Sequence, residues 1–171
     1  FGLIAGLGVE TKHSMLIFGF GLVAGLVLTP QRKHLFSRWL VLAGLLAFLL
    51  WAPNLLWQAT NNWPQLTMAS RIAGYAADNR AQVVPLLWLF TGPLLFPVSV
   101  AGLVWVLGSK AATAWRAIGI AGLVALALVL VSGGKAYYVI GDAPLFMGGG
   151  AIVFDRGVWG GHSRLWISGF G

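Results

Sequence analysis

Apolar runs of helical length alternate with short polar breaks from Phe1 to about Phe154. The first run, Phe1–Val9, is too short to span a bilayer core and reads as half a helix, so the chain is expected to be part of a larger membrane domain. A polar knot, Glu10-Thr11-Lys12-His13-Ser14, precedes an apolar run from about Ser14 to Thr29. The basic segment PQRKHLFSR (Pro30–Arg38) then leads into a span over about Trp39–Ala59, interrupted by Pro53-Asn54. A long polar stretch, Thr60–Gln82, separates this from a run over Val83–Leu107 that carries Pro85, Pro93 and Pro97. The loop GSKAATAWRA joins it to a run over about Trp115–Ser132, and a weaker one covers about Tyr137–Phe154. Most of these approach the roughly 20 residues that cross a hydrocarbon core. The pattern predicts an all-α fold: a polytopic transmembrane helix bundle over residues 1–154, with about five spans besides the half helix. The glycine-rich tail, residues 155–171, reads as a truncation edge.

The polar stretch has a pattern of its own. Asn62 is placed to cap a helix with Pro64 in its first turn. Leu66, Ala69, Ile72, Ala73 and Ala76 then recur at three- and four-residue spacing, which predicts a short amphipathic helix lying on the outer interface.

Composition agrees with a membrane chain. Hydrophobic residues make up 58% and charged residues only 9%, where a soluble domain carries about a quarter. The net charge of +7 would suggest nucleic acid in a soluble protein. No basic block interleaves with exposed aromatics, so no nucleic-acid partner is expected, and the charge is assigned to cytoplasmic loops. The absence of cysteine removes disulfides, thiol chemistry and iron–sulfur sites together. Alternate loops divide the charge. Arg32, Lys33, Arg38, Lys110, Arg116, Arg156 and Arg164 stand against Asp155 on one side; Lys12, Arg71, Arg80 and Lys135 stand against Glu10, Asp78 and Asp142 on the other. The first set is expected to be cytoplasmic. Glu10–His13, Thr60–Gln82 and Lys135–Asp142 then share the outer face.

Gly19, Gly21 and Gly25 have the look of a dinucleotide loop, but they lie inside an apolar helix without a preceding strand. Gly21/Gly25 and Gly2/Gly6 read instead as close-packing pairs. His13, His34 and His162 are scattered over both faces, so no metal site and no cofactor are expected. Asn54 either satisfies the carbonyl that Pro53 frees or contacts a ligand. Trp57 and Trp63 suit an interfacial belt, with stacking on a sugar as the second reading for both. The sharper group is Glu10, Lys12 and Lys135, with Tyr137 and Tyr138 close to the last. Either the lysines snorkel into outer headgroups, with Glu10 paired to one of them, or they form a cationic pocket for a phosphate with the two phenols as donors.

At these residues the chain resembles a known family. "GLGVETKHSMLIFGFGLVAGLVLTPQRKH", "APNLLWQATNNWPQL" and "GGKAYYVIGDAPLF" are similar, in order, to three segments of bacterial membrane glycosyltransferases of family 39. That group is related to protein O-mannosyltransferases and the lipid A aminoarabinose transferase. Lys135, Tyr137, Tyr138 and Pro144 stand in register with its G-G-K-x-Y-Y…Y-P motif, although Ala143 replaces the tyrosine before the proline and Asp142 lies beside it. The resemblance implies a GT-C fold in the bacterial inner membrane, covering the later half of the membrane domain. It implies transfer of a sugar from a polyprenyl-phosphate carrier to a protein or lipid acceptor on the outer face. On this reading Lys12, Lys135, Tyr137 and Tyr138 bind the lipid phosphate; Glu10, His13, Asn54 and Trp57 are possible substrate contacts. The family's catalytic acidic residue lies in an early outer loop and has no match here, Glu10 included, so no catalytic residue is assigned. A transporter or flippase for a lipid-linked or anionic solute is the rival, disfavoured by the lack of an internal repeat and by charges clustered at an interface.

The charge division predicts topology. A cysteine introduced at Ser37 is expected to resist an impermeant outside reagent in intact cells, whereas one within Thr60–Gln82 should label. Labelling at Ser37 would reverse the orientation.

Overall fold

The computed structural model describes residues 1–158, with side chains to Asp155; most of the tail, including His162 and Arg164, lies outside the described residues. Eight helices follow in order: α1 (Gly2–Thr11), α2 (Met15–Val27), α3 (Arg38–Thr60), α4 (Pro64–Ala73), α5 (Ala76–Thr91), α6 (Leu95–Gly108), α7 (Arg116–Ser132) and α8 (Ala143–Val158). Short 3-10 turns cover Pro30–His34, Lys110–Ala112, Ala136–Tyr138 and Ile140–Asp142. Among the described residues there is no strand, and the all-α expectation holds.

Three helix pairs build the bundle: α1 on α3, α2 on α7, and α6 on α8. Each meets through glycine. A Cβ on Gly2 would fall on the Ala43 carbonyl of α3, and one on Gly6 would lie 3.0 Å from Ala47 Cα. Residue numbers rise together across that contact, so α1 and α3 run parallel. Gly21 and Gly25 lie against the Ala121 and Ala117 carbonyls of α7, and there the numbers run in opposite senses. The buried face of α7 is correspondingly small-sided, with Ala117, Ala121, Ala125 and Val129 four residues apart. Both glycine pairs thus do what small residues do between helices: they admit backbone to backbone and gain dispersion contacts. The sequence pattern missed the third contact, where Gly102 of α6 meets Phe146 and Gly150 of α8.

These pairings sort the charges by end. Gln31 Nε2 donates to the Thr113 carbonyl at 3.0 Å, which sets the basic turn after α2 beside the start of α7. At the opposite end His13 meets Gln58 of α3, and Asn79 of α5 meets Gly133 just past α7. The basic turn Pro30–His34 therefore stands at one end of the α2–α7 pair, and His13 and Gly133 stand towards the other, whereas Asp142 reaches back to Gly122 in the middle of α7.

Several expectations about the elements need correction. Val83–Leu107 is not one helix: α5 and α6 bend by 105°. Gly92, at φ 91°, leaves the helical region, and Pro93 supplies no N–H to resume the ladder. Asn62 does not cap α4; it and Trp63 take positive φ (58° and 53°), and Trp63 holds the cap position without a side-chain bond. Pro64 does stand in the first turn. The amphipathic helix stops at Ala73, so Ala76 belongs to α5. Tyr137–Asp142 forms two 3-10 turns instead of the start of a span, because Gly133 in the left-handed region ends α7 and the chain must reverse. Among the described residues only α3, 23 residues long with mean hydropathy 2.0, is long and apolar enough to cross a membrane alone; α5 and α6 qualify only as a bent pair. The apolar α1, α2 and α7 are shorter.

The glycine contacts generate a paired test. Gly25→Ala puts a methyl onto the Ala117 carbonyl and should destabilise the fold by about 1–3 kcal/mol. Gly44→Ala meets nothing within 4 Å and should stabilise α3 by roughly 0.5–1 kcal/mol. Equilibrium unfolding in mild detergent reads both; equal effects would refute backbone contact at Gly25.

Candidate functional site

A cavity of about 540 Å³ opens at the end of the bundle that carries Glu10–His13. It forms because α1 and α3 run parallel, which brings the α1–α2 connection level with the last turns of α3. Lys12 and His13 enter from the connection; Trp51 and Gln58 come from α3. Helix α4 forms a wall, presenting Leu66, Ala69 and Ile72, the three-residue repeat of its apolar face. Tyr137 and Tyr138 close the remaining side from the turn after α7.

The cation lies on the aromatics. Lys12 Nζ stands 4.7 Å from the Tyr137 ring centroid and 5.4 Å from that of Tyr138, and the two rings meet edge to face at 4.8 Å. More than a hundred residues of sequence separate these partners, and their meeting was expected. An aromatic face attracts an ammonium without cancelling its charge, so the cation remains able to bind an anion. Among the described residues no carboxylate lies within ion-pair distance of Lys12. Tyr138 has its pKa raised to about 12, first by burial and then by neighbouring Tyr137, so its phenol stays protonated at neutral pH and can donate.

Beside the cation lies an amide network. Gln58, 3% exposed, donates to Asn54 Oδ1 at 2.8 Å and to His13 Nε2 at 3.0 Å. Both bonds together make Nε2 the acceptor and place the neutral ring's proton on Nδ1. The 3.3 Å approach of Nε2 to Asn54 Oδ1 is then a contact between two acceptors, not a hydrogen bond. Asn54 Nδ2 donates to Glu10 Oε1 at 3.4 Å. Asn54 therefore ties α3 to the end of α1 and does not satisfy a carbonyl freed by Pro53.

Not every expected residue reaches the cavity. Trp57 is 57% exposed and does not line it; Trp63, expected to play the same part, does. Glu10 contacts the network from outside. Lys135 is also absent from the wall: its Nζ donates to Asn79 Oδ1 at 3.0 Å. Two residues, Gln58 and Asn79, were overlooked. Gln58 sits four after Asn54, an amide pair on one face of an apolar helix that was a readable signal. Asn79 lay in a stretch read for its apolar spacing and its charges, and Arg80 was counted there only as a charge. The chain matches no family model, no curated protein and no solved structure.

Asp142 faces elsewhere, into a smaller apolar cavity of about 220 Å³ between α5, α6 and α7. It stands in the turn outside the helices, and burial raises its carboxyl pKa from 3.8 to about 6. A carboxyl pKa raised by the fold adds stability that is full below the unfolded value and is lost as pH rises through the folded one. The wild-type chain should therefore lose stability between about pH 4 and 6, and Asp142→Asn should not. Because the group is partly exposed, the difference above pH 6 should be about 1–2 kcal/mol. Unfolding midpoints at pH 4 and pH 7 measure it, and identical pH dependence in both proteins would contradict the assignment.

Proposed function

We propose that the chain is part of a multi-pass inner-membrane glycosyltransferase of the GT-C type, and that its cavity receives the phosphate of a polyprenyl-phosphate-linked sugar on the outer face. The observation that carries this reading is the Lys12 ammonium on the Tyr137 and Tyr138 rings, at the mouth of a cavity walled by an amphipathic helix. Phosphate oxygens would accept from Lys12 and from the Tyr138 phenol. As the bond from sugar to phosphate breaks, charge grows on those oxygens, and a fixed cation stabilises it more than it stabilises the bound donor. The sugar would meet the Gln58 amide and the Trp63 ring, and the acceptor, a protein or lipid hydroxyl, would approach from the open side.

A bilayer setting is supported by α3. None of its most apolar 18-residue window is buried within the chain. Leu42, Leu45, Phe48 and Leu49 are all exposed, a surface that water disfavours and lipid does not. Helix α4 would lie in the interface, with Met68 on the cavity side. The transporter reading has one observation in its favour, the broken α5–α6 pair, since transporters place binding sites at discontinuous helices. The cationic cavity, however, lies at the end of the bundle and not at that break.

Lys12→Ala should weaken binding of decaprenyl phosphate to the detergent-solubilised chain ten- to a hundredfold, in line with the roughly 1.5–3 kcal/mol of a charge-assisted hydrogen bond. Lys12→Arg should recover part of it, since the charge is kept while the donor geometry changes. Titration calorimetry measures both. Unchanged affinity in Lys12→Ala would remove the site.

A further inference from the structure

The two lysines of the expected phosphate site are held in different ways. Lys12 rests on aromatic faces at the cavity, while Lys135 turns to a buried amide. Asn79 is 5% exposed, and its orientation is fixed by its own donors: Nδ2 gives hydrogen bonds to the Gly133 carbonyl at 2.6 Å and to the Ile72 carbonyl at 3.3 Å. Flipping the amide would aim an NH2 group at the Lys135 ammonium, so Oδ1 must face Lys135. One side chain thus fastens both ends of Gly133–Lys135, the turn that delivers Tyr137 and Tyr138 to Lys12, and also holds the last turn of α4, the cavity wall.

The surrounding contacts work in the same sense. Ala76, Asn79 and Arg80 lie on one face of α5 by their three- and four-residue spacing. Gly133, at φ 67°, is so close to Ala76 that an added Cβ would lie 2.6 Å from Ala76 Cα. Arg80 donates from Nε to the Leu130 carbonyl at 2.7 Å and from Nη2 to the Val131 carbonyl at 2.8 Å. The first turns of α5 therefore hold the end of α7 and the chain that follows it.

We infer that the lysines divide the work: Lys12 meets the anion, whereas Lys135 and Asn79 form one positioning unit that sets the Tyr137–Tyr138 turn and the α4 wall around it. This assignment rests on the anion-binding reading of the cavity and changes the role expected for Lys135, from phosphate ligand to support. Its place away from the cavity wall, on the Asn79 amide oxygen, is what separates Lys135 from Lys12.

The test is a double-mutant cycle read by decaprenyl-phosphate affinity at several salt concentrations. Lys12→Ala should flatten the salt dependence, because a charge contact is lost. Lys135→Ala and Asn79→Ala should each weaken binding about three- to tenfold with the salt dependence unchanged, and the double variant should be no worse than either alone. Lys135→Gln, which keeps a donor for Asn79 without the charge, should restore most of the affinity. Flattened salt dependence in Lys135→Ala, additive losses, or no rescue by Lys135→Gln would each overturn the division. A wild-type chain without affinity for decaprenyl phosphate would instead overturn the functional reading, and the inference with it. If the Asn79 variant fails to fold, the wild-type protein still decides. Lys12, Lys33, Lys110 and Lys135 are its only lysines. In lysine-labelled protein, decaprenyl phosphate should shift the Lys12 side-chain resonance strongly and that of Lys135 little. The reverse order would make Lys135 the ligand.

Discussion

The carbonyls at the C-terminal end of α7 have no partners within the helix, and in an apolar bundle another segment must supply donors for them. Arg80 meets two of them and Asn79 meets the carbonyl of the glycine that ends the helix. That requirement places α5 against α7, and the rest of the site follows from it. With the helix end held, the chain leaves along a defined path through Lys135 into the 3-10 turn Ala136–Tyr138, and the two phenol rings arrive beside Lys12. The same Asn79 holds the Ile72 carbonyl, so the wall of the cavity and its aromatic side share one anchor.

The second contribution is geometric and comes from the opposite flank. Gly2 and Gly6 let α1 lie on α3 at backbone distance, and their parallel course brings Glu10 beside Asn54 in the last turns of α3. His13 can then reach Gln58. Gly21 and Gly25 bring α2 onto α7 in the opposite sense, returning the chain from the cavity to the basic end. The site is thus assembled from two glycine-packed pairs joined by polar contacts at one end, an arrangement in which hydrogen bonds set register and dispersion supplies attraction.

What was legible in the sequence is what depends on local spacing. Four-residue glycine pairs announce close packing because only neighbours on one helix face recur at that interval. Alternating loop charge separated the basic turn after α2 from Glu10–His13 because it sums over many residues. The meeting of Lys12 with Tyr137 and Tyr138 was foreseeable once both were assigned to one end. Reading failed where a distant partner or a special dihedral decides. Hydropathy runs unbroken through Gly92-Pro93, yet the backbone turns there. Asn62 has the right side chain to cap a helix and the wrong φ to do so. Asn79 has no local signal at all, since its three partners, Ile72, Gly133 and Lys135, lie up to 56 residues away.

Lys135 shows most clearly why residue type alone does not assign a role. A lysine beside two tyrosines at the edge of an apolar run has the chemistry of a phosphate site, and so does Lys12 beside a histidine. The difference lies in what receives each ammonium. An aromatic face offers attraction with little directional demand, so Lys12 can swing toward an entering anion and lose only part of its contact. An amide oxygen fixed by two donors of its own holds one ammonium hydrogen in place, and moving Lys135 away would leave that buried oxygen unpaired. The first arrangement suits a group that exchanges partners during binding. The second suits a group whose task is to stay where it is.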